Sequence, residues 1–188
     1  MGCTTSGADY AQAQPAAMEG VKMAETLHQT EATPATYPNG DYAFLWHRIE
    51  AYTARRWTPR NVTWLVRGPG EWVPPLAPAE VVQAYIWTGD DWAEITLAPA
   101  PRGFDLQEGR FKIDCTVGTD NAAPAAVLEA FDRLSKYVVA EIAGVPGASR
   151  YSIDTGQLSE SIARHPAFMA RALDNSGAAD LLRPYRRA

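Results

Sequence analysis

The chain is poor in the residues that carry most protein chemistry. Its 188 residues include two cysteines, three histidines and three lysines. Cys3 lies in a small, polar stretch that reads as a loose tail, and Cys115 lies in an alternating strand pattern. No disulfide framework is expected, and the chain reads as intracellular. His28, His47 and His165 fall in separate segments, none at metal-ligand spacing with a cysteine or carboxylate, so no metal site is assigned. Gly68-Pro69-Gly70 and the Gly144–Gly147 cluster lack a phosphate-binding lysine and read as turns. Ser152, Ser159 and Ser161 have no nucleophile-elbow context. No apolar run approaches the ~20 residues of a membrane helix. These absences predict no catalytic residue, no cofactor and no membrane span, and argue against an enzyme.

Charge excludes a further class. The formal net charge is −5, which gives no overall basic field to hold nucleic acid. Arginine outnumbers lysine 14 to 3. Arginine favours bidentate and stacked contacts, but the abundance of Ala and Pro points to coding bias as the simpler source. The start, Met1-Gly2-Cys3-Thr4-Thr5-Ser6, formally matches a lipidation pattern and is read as coincidence; no apolar stretch precedes Cys3, so no lipoprotein signal is expected.

What is present is patterning. Residues 1–40 read as an N-terminal arm: 1–16 loose, 17–28 a possible short helix weakened by Gly20, and 33–40 a loop by its Pro and Asn-Gly content. A core domain is expected over 41–150. Asp41 is placed to cap a helix running to about Trp57, with Tyr42, Leu45, Trp46, Ile49, Tyr52 and Thr53 on one face and Pro59 as stop. Residues 61–118 read as a small antiparallel β segment. Val62, Trp64 and Val66 alternate, as do Val82, Ala84 and Ile86, then Ile95 and Leu97, then Phe111, Ile113, Cys115 and Val117. Gly89-Asp90-Asp91 signals a hairpin whose carboxylates form a solvated turn, and 68–78 must be loop or edge. The strongest helical stripe, Val127 to Ile142, predicts a helix over 124–143 opened by Pro124. Residues 151–188 are expected to be a C-terminal helical extension, with segments at 156–164 and 166–174 split by Pro166, and then a tail. The fold class expected is therefore α+β: a helical subunit (helices about 41–57, 124–143 and 156–174) with a small β insert at 61–118 and extended terminal arms.

All six tryptophans lie between Trp46 and Trp92. Plates filling a thin core, with one or two at a subunit contact, fit better than stacking on bases or sugars, because no basic stripe accompanies them. The last residues, Leu181-Leu182-Arg183-Pro184-Tyr185-Arg186-Arg187, set an apolar step and an aromatic among three arginines. Two readings weigh equally from this stretch. One is a last helical turn docked on the chain's own core, with Arg186 and Arg187 solvated. The other is a binding segment, since Tyr and Arg are frequent interface anchors and nothing follows to cover Leu181, Leu182 and Tyr185. The rest of the chain favours a partner.

Several segments stand out for their order along the chain. They are the helix Ile49-Glu50-Ala51-Tyr52-Thr53-Ala54-Arg55-Arg56-Trp57, a Pro-rich β segment, the strand end Thr116-Val117-Gly118, the opening Ala122-Ala123-Pro124 of a long helix, and the close Leu181-Leu182-Arg183-Pro184-Tyr185-Arg186. This order resembles the head–tail adaptor (connector) family of long-tailed phages and phage-derived gene transfer agents, with its "IEAYTGR" helix and "LLxPYR" end. The similarity covers about 41–143 and 177–187. The family glycine of "YTGR" is Ala54 here, read as harmless within a helix. The "YENRE"-like helix end is replaced by Tyr137-Val138-Val139-Ala140-Glu141, so contacts from that end are not carried over. The resemblance implies a homo-oligomeric ring, usually twelve-fold, at the virion's head–tail interface and assembled in the bacterial host cytoplasm. The portal protein would lie above it and the next tail-completion protein below, with DNA passing through the lumen without sequence-specific binding. It also implies that Leu181, Leu182, Arg183, Pro184, Tyr185, Arg186 and Arg187 bind the portal. The alternative class is a Trp-rich small-ligand or carbohydrate-binding module; a hydrolase is the weakest of the three.

Overall fold

The computed structural model describes residues 22–38, 42–139, 150–154, 156, 159–163 and 167–187. In chain order the elements are β1 (Glu25–Glu31), α1 (Ala43–Thr53), β2 (Arg60–Arg67), β3 (Gly70–Trp72), β4 (Ala79–Trp87), β5 (Trp92–Ile95) and β6 (Ala98–Pro99). There follow β7 (Phe104–Leu106), β8 (Arg110–Val117), α2 (Ala125–Val139), β9 (Arg150–Asp154), β10 (Ser159–Ala163), α3 (Ala172–Asn175), α4 (Ala178–Leu182) and a 3-10 turn, Arg183–Tyr185. This corrects the expected helical subunit with a small β insert. Among the described residues antiparallel strands dominate, in sheets of five, three and two, and no helix exceeds the 15 residues of α2.

The five-stranded sheet has the order β1-β2-β8-β4-β5. Period-2 patterning fixes its faces. Val62, Trp64 and Val66 of β2 and Phe111, Ile113, Cys115 and Val117 of β8 are all buried. Trp72, Leu76 and Leu106, from in and around the small sheet β3-β7-β6, close over them. Cys115 lies within this core, and burial, helped by the neighbouring Asp114 charge, pushes its thiol up to about 12. One alternation fails. A bulge between Val81 and Gln83 takes Val82 out of step with Ala84, and Val82 is exposed.

The sheet extends further towards the N-terminus than the sequence pattern suggests. Residues 25–31, expected in an arm with a possible helix, form the edge strand β1 paired antiparallel to β2. The reason lies in the indoles. Trp64 Nε1 donates to Gln29 Oε1 at 2.8 Å and Trp72 Nε1 to Thr26 Oγ1 at 3.0 Å. Two buried donors are thus satisfied by polar side chains that carry no hydrophobic signal. Residues 1–21, including the proposed loose arm, lie outside the described residues.

A second core is helical. Leu45, Trp46 and Ile49 of α1 pack with Val127, Ala130, Phe131 and Leu134 of α2 and with Ala172, Ala178 and Leu182. Trp46 stacks on Phe131 with ring centroids 5.0 Å apart. The helix α1 is shorter than expected, stopping at Thr53 rather than near Trp57, and the described part of α2 runs to Val139. Asp41, the expected cap, and residues 140–149 lie outside the described residues. The helix expected at 156–164 is not one: Ser159–Ala163 pairs antiparallel with Arg150–Asp154. A few residues of mixed pattern cannot offset helix nucleation, and a hairpin partner lies close in sequence. Of the helix expected over 166–174, only 172–174 are helical among the described residues, as the start of α3.

Gly118, at the end of β8, has a defined task. Its φ is +91°, and a Cβ there would meet the Thr58 carbonyl oxygen at 2.2 Å. Only glycine lets the chain leave the sheet at this point, beside the segment that follows α1.

Candidate functional site at the C-terminal corner

The site is built where α1 ends. Ala54, the residue after the helix, has φ 53° and ψ 26°, a left-handed conformation. This is the position where a helix most often takes glycine. The departure from the "YTGR" pattern therefore falls outside the helix, at its stop, and is not neutral. Ala54→Gly is expected to stabilise the protein by about 1 kcal/mol, read as a raised urea midpoint at unchanged slope. An unchanged or lowered midpoint would contradict the strain argument. Beyond Ala54 the chain runs beside Ala77, with Arg56 N–H donating to the Ala77 carbonyl at 2.9 Å and Ala77 N–H to the Ala54 carbonyl at 3.1 Å.

Residues 181–187 close against this turn. Leu182 is fully buried in the helical core and Leu181 packs at its margin. Tyr185 sets its ring edge-on to Trp57, centroids 5.8 Å apart. The Arg186 guanidinium lies over Tyr52 at 5.0 Å, Arg187 N–H donates to the Thr53 carbonyl at 3.3 Å, and the Arg187 guanidinium donates to the Pro74 carbonyl. Arg183 pairs only locally, with Asp180 at 2.5 Å. Of the two readings of this stretch, the locally docked turn describes its packing. The apolar residues face inward, while Arg183, Pro184, Arg186 and Arg187 are exposed. Leu182 is therefore unavailable as a surface anchor, and any contact made here is made by the arginines, Pro184 and the half-buried Leu181 and Tyr185.

Beneath the corner lies an ion cluster that sequence patterning did not reveal. Glu50 faces inward from α1 and accepts from both Arg60 guanidinium nitrogens, at 3.0 and 2.8 Å, and from Trp57 N–H at 3.1 Å. Glu31, at the end of β1, takes a forked pair of bonds from Arg56 at 2.5 and 2.7 Å and a third from Arg60 at 3.1 Å. The helical core and the main sheet are tied together here. Burial pushes the Glu31 carboxyl up, but the hydrogen bonds and charges of Arg56 and Arg60 together outweigh it and hold the pKa below its ordinary 4.5. A carboxyl depressed on folding contributes stability that is complete above its unfolded pKa and lost as pH falls through the folded one. Stability should therefore fall as pH drops below about 4.5. Urea unfolding across an acid pH series should show a shallower decline for Glu31→Gln; parallel declines would contradict the assignment.

Four of the six tryptophans, Trp46, Trp57, Trp64 and Trp72, are buried, and the Trp57 indole N–H has no partner. The other two, Trp87 and Trp92, face each other across the mouth of the β4–β5 hairpin, centroids 5.2 Å apart. Among the described residues no group of His, Cys, Asp or Glu is placed to hold a metal ion, and no helix is long and apolar enough to cross a membrane. Compared with protein-family models and with curated proteins, the chain has no match.

Proposed function

We propose that the chain is a structural adaptor that forms a ring between the portal and the tail-completion proteins of a tailed phage, holding the portal through its C-terminal corner and carrying no chemistry of its own. The observation that carries this reading is convergence. The α1 end, the strand end Thr116-Val117-Gly118 and the final Leu181–Arg187 lie far apart in sequence. They are three of the five segments that carry the resemblance to head–tail adaptors, and they meet around one turn. Each has a backbone reason for its pattern: the left-handed stop after Thr53, the glycine pressed on Thr58, and the leucine-then-tyrosine step that docks on Trp57. What the corner turns outward is arginine, suited to bidentate capture of carboxylates on a partner. A net acidic subunit suits a conduit through which DNA must slide.

Reversing the exposed charges, Arg183→Glu with Arg186→Glu, is expected to leave the thermal transition within a few degrees of wild type and to abolish attachment to portal-bearing capsids. Attachment at the wild-type level would overturn the reading. The second reading, a carbohydrate-binding module, rests on the accessible Trp87–Trp92 pair. It requires saturable quenching of tryptophan fluorescence by an oligosaccharide, lost in Trp87→Ala.

A further inference from the structure

We propose that a cleft beside the C-terminal corner receives the β4–β5 hairpin tip of a second copy of this chain, so that copies join head to tail. The proposal rests on the ring reading above and assigns its subunit contact. The cleft is lined by Ala54, Val73, Pro74 and Pro75, with Arg102 and Arg187. Its floor is apolar and its charge is positive. Arg187 is exposed, and its guanidinium donates to a neutral carbonyl, that of Pro74; it has no carboxylate partner among the described residues. Arg102 pairs with Glu71 at 3.1 Å, yet more than half of its side chain remains open to solvent.

The hairpin tip is complementary on both counts. Trp87 through Glu94 reads Trp-Thr-Gly-Asp-Asp-Trp-Ala-Glu, three carboxylates and no cation. Asp90, Asp91 and Glu94 are exposed and in no ion pair among the described residues. Trp87 keeps 38% of its surface in solvent at the tip, beside Trp92. An indole laid on a Val-Pro-Pro floor, with aspartates reaching flanking guanidiniums, combines a desolvated aromatic anchor with charge-assisted hydrogen bonds.

The placement fits a closed ring. Strand register sets the tip at the sheet end where Arg67 faces Arg110 and Trp87 faces Trp92. The corner lies at the other end, where Arg60 and Ala79 both face Val117 and Ala77 meets Ala54. Two complementary but different patches make a heterologous contact. Such contacts close into a ring when each copy is turned slightly from the last, about 30° for twelve copies.

The test uses the full chain, Asp90→Lys and Arg187→Glu, with sedimentation velocity over a range of concentrations. Wild type should self-associate. Each variant should keep the wild-type thermal midpoint and associate about tenfold more weakly or worse. An equimolar mixture should recover association, because the lysine tip then meets the glutamate cleft while the native pair forms at the alternate contact. Asp90 sits at a solvent-exposed tip, so its variant remains informative even if Arg187→Glu folds poorly. A wild-type chain that stays monomeric would overturn the pairing. Rings that persist unweakened in Asp90→Lys, or a mixture of two folded variants that fails to recover, would also overturn it while leaving the adaptor reading intact. Failure of the adaptor reading itself shows separately, as capsid attachment indifferent to Arg183 and Arg186.

Discussion

Removal of residues 178–187 is expected to lower the thermal midpoint by roughly 10 °C or more. The sequence alone suggests the reverse, a detachable tail whose loss leaves the domain intact. The structure alters that expectation because Ala178, Ala179 and Leu182 are buried, Leu182 completely. A single Leu→Ala change at such a site costs about 2–5 kcal/mol through lost transfer energy and the cavity left behind. Deleting the whole segment also uncovers the faces of α1 and α2 that Leu182 packs against and removes the Tyr185 contact with Trp57. Leu182→Ala should reproduce a large part of the loss in urea unfolding at unchanged slope. A truncated chain with the wild-type midpoint would show that the corner is not part of the core. Loss of function on truncation is accordingly uninformative about portal binding, and the arginine reversals are the proper probe.

The second large effect is expected at Glu50. Its carboxylate is buried with the Arg60 guanidinium, each side chain only 2% exposed. Breaking such a pair from one side leaves a buried cation with fewer partners, and Glu50→Ala should destabilise the protein by about 3–5 kcal/mol. Arg60 retains one bond to Glu31 at 3.1 Å and one to the Thr58 hydroxyl at 2.7 Å, which places the effect towards the lower end. Glu31→Ala, at the more accessible end of the same cluster, should cost less. A loss below about 1 kcal/mol for Glu50→Ala would mean that water reaches Arg60 freely.

The sequence made some elements legible and hid others for physical reasons. The strands at 60–67 and 110–117 follow strict alternation because one face is buried, and the α2 stripe follows from packing on α1. The hairpin at Gly89-Asp90-Asp91 was readable from its turn residues. β1 was not, because its inward positions are Thr26 and Gln29, which serve buried indoles instead of filling volume. The strand Ser159–Ala163 falls where the sequence suggests a helix, over 156–164, because short mixed segments carry no decisive period. At the candidate site the residue types were legible and their orientation was not. Leucines and arginines in a terminal stretch fit a docked turn or a free arm equally well, and only their packing on Trp57 and Thr53 decides which side chains face out. The Glu31, Glu50, Arg56 and Arg60 cluster gave no signal, since charged residues on a helix and at strand ends ordinarily face solvent.

The central claim is that this fold is the repeating unit of a closed ring on the portal. Native mass spectrometry of the complex extracted from assembled particles tests it most directly. The account predicts one dominant mass with many equivalent copies of this chain bound to portal, collapsing to portal alone when Arg183 and Arg186 are reversed. A complex holding one or two copies, or a portal that carries none, would contradict it.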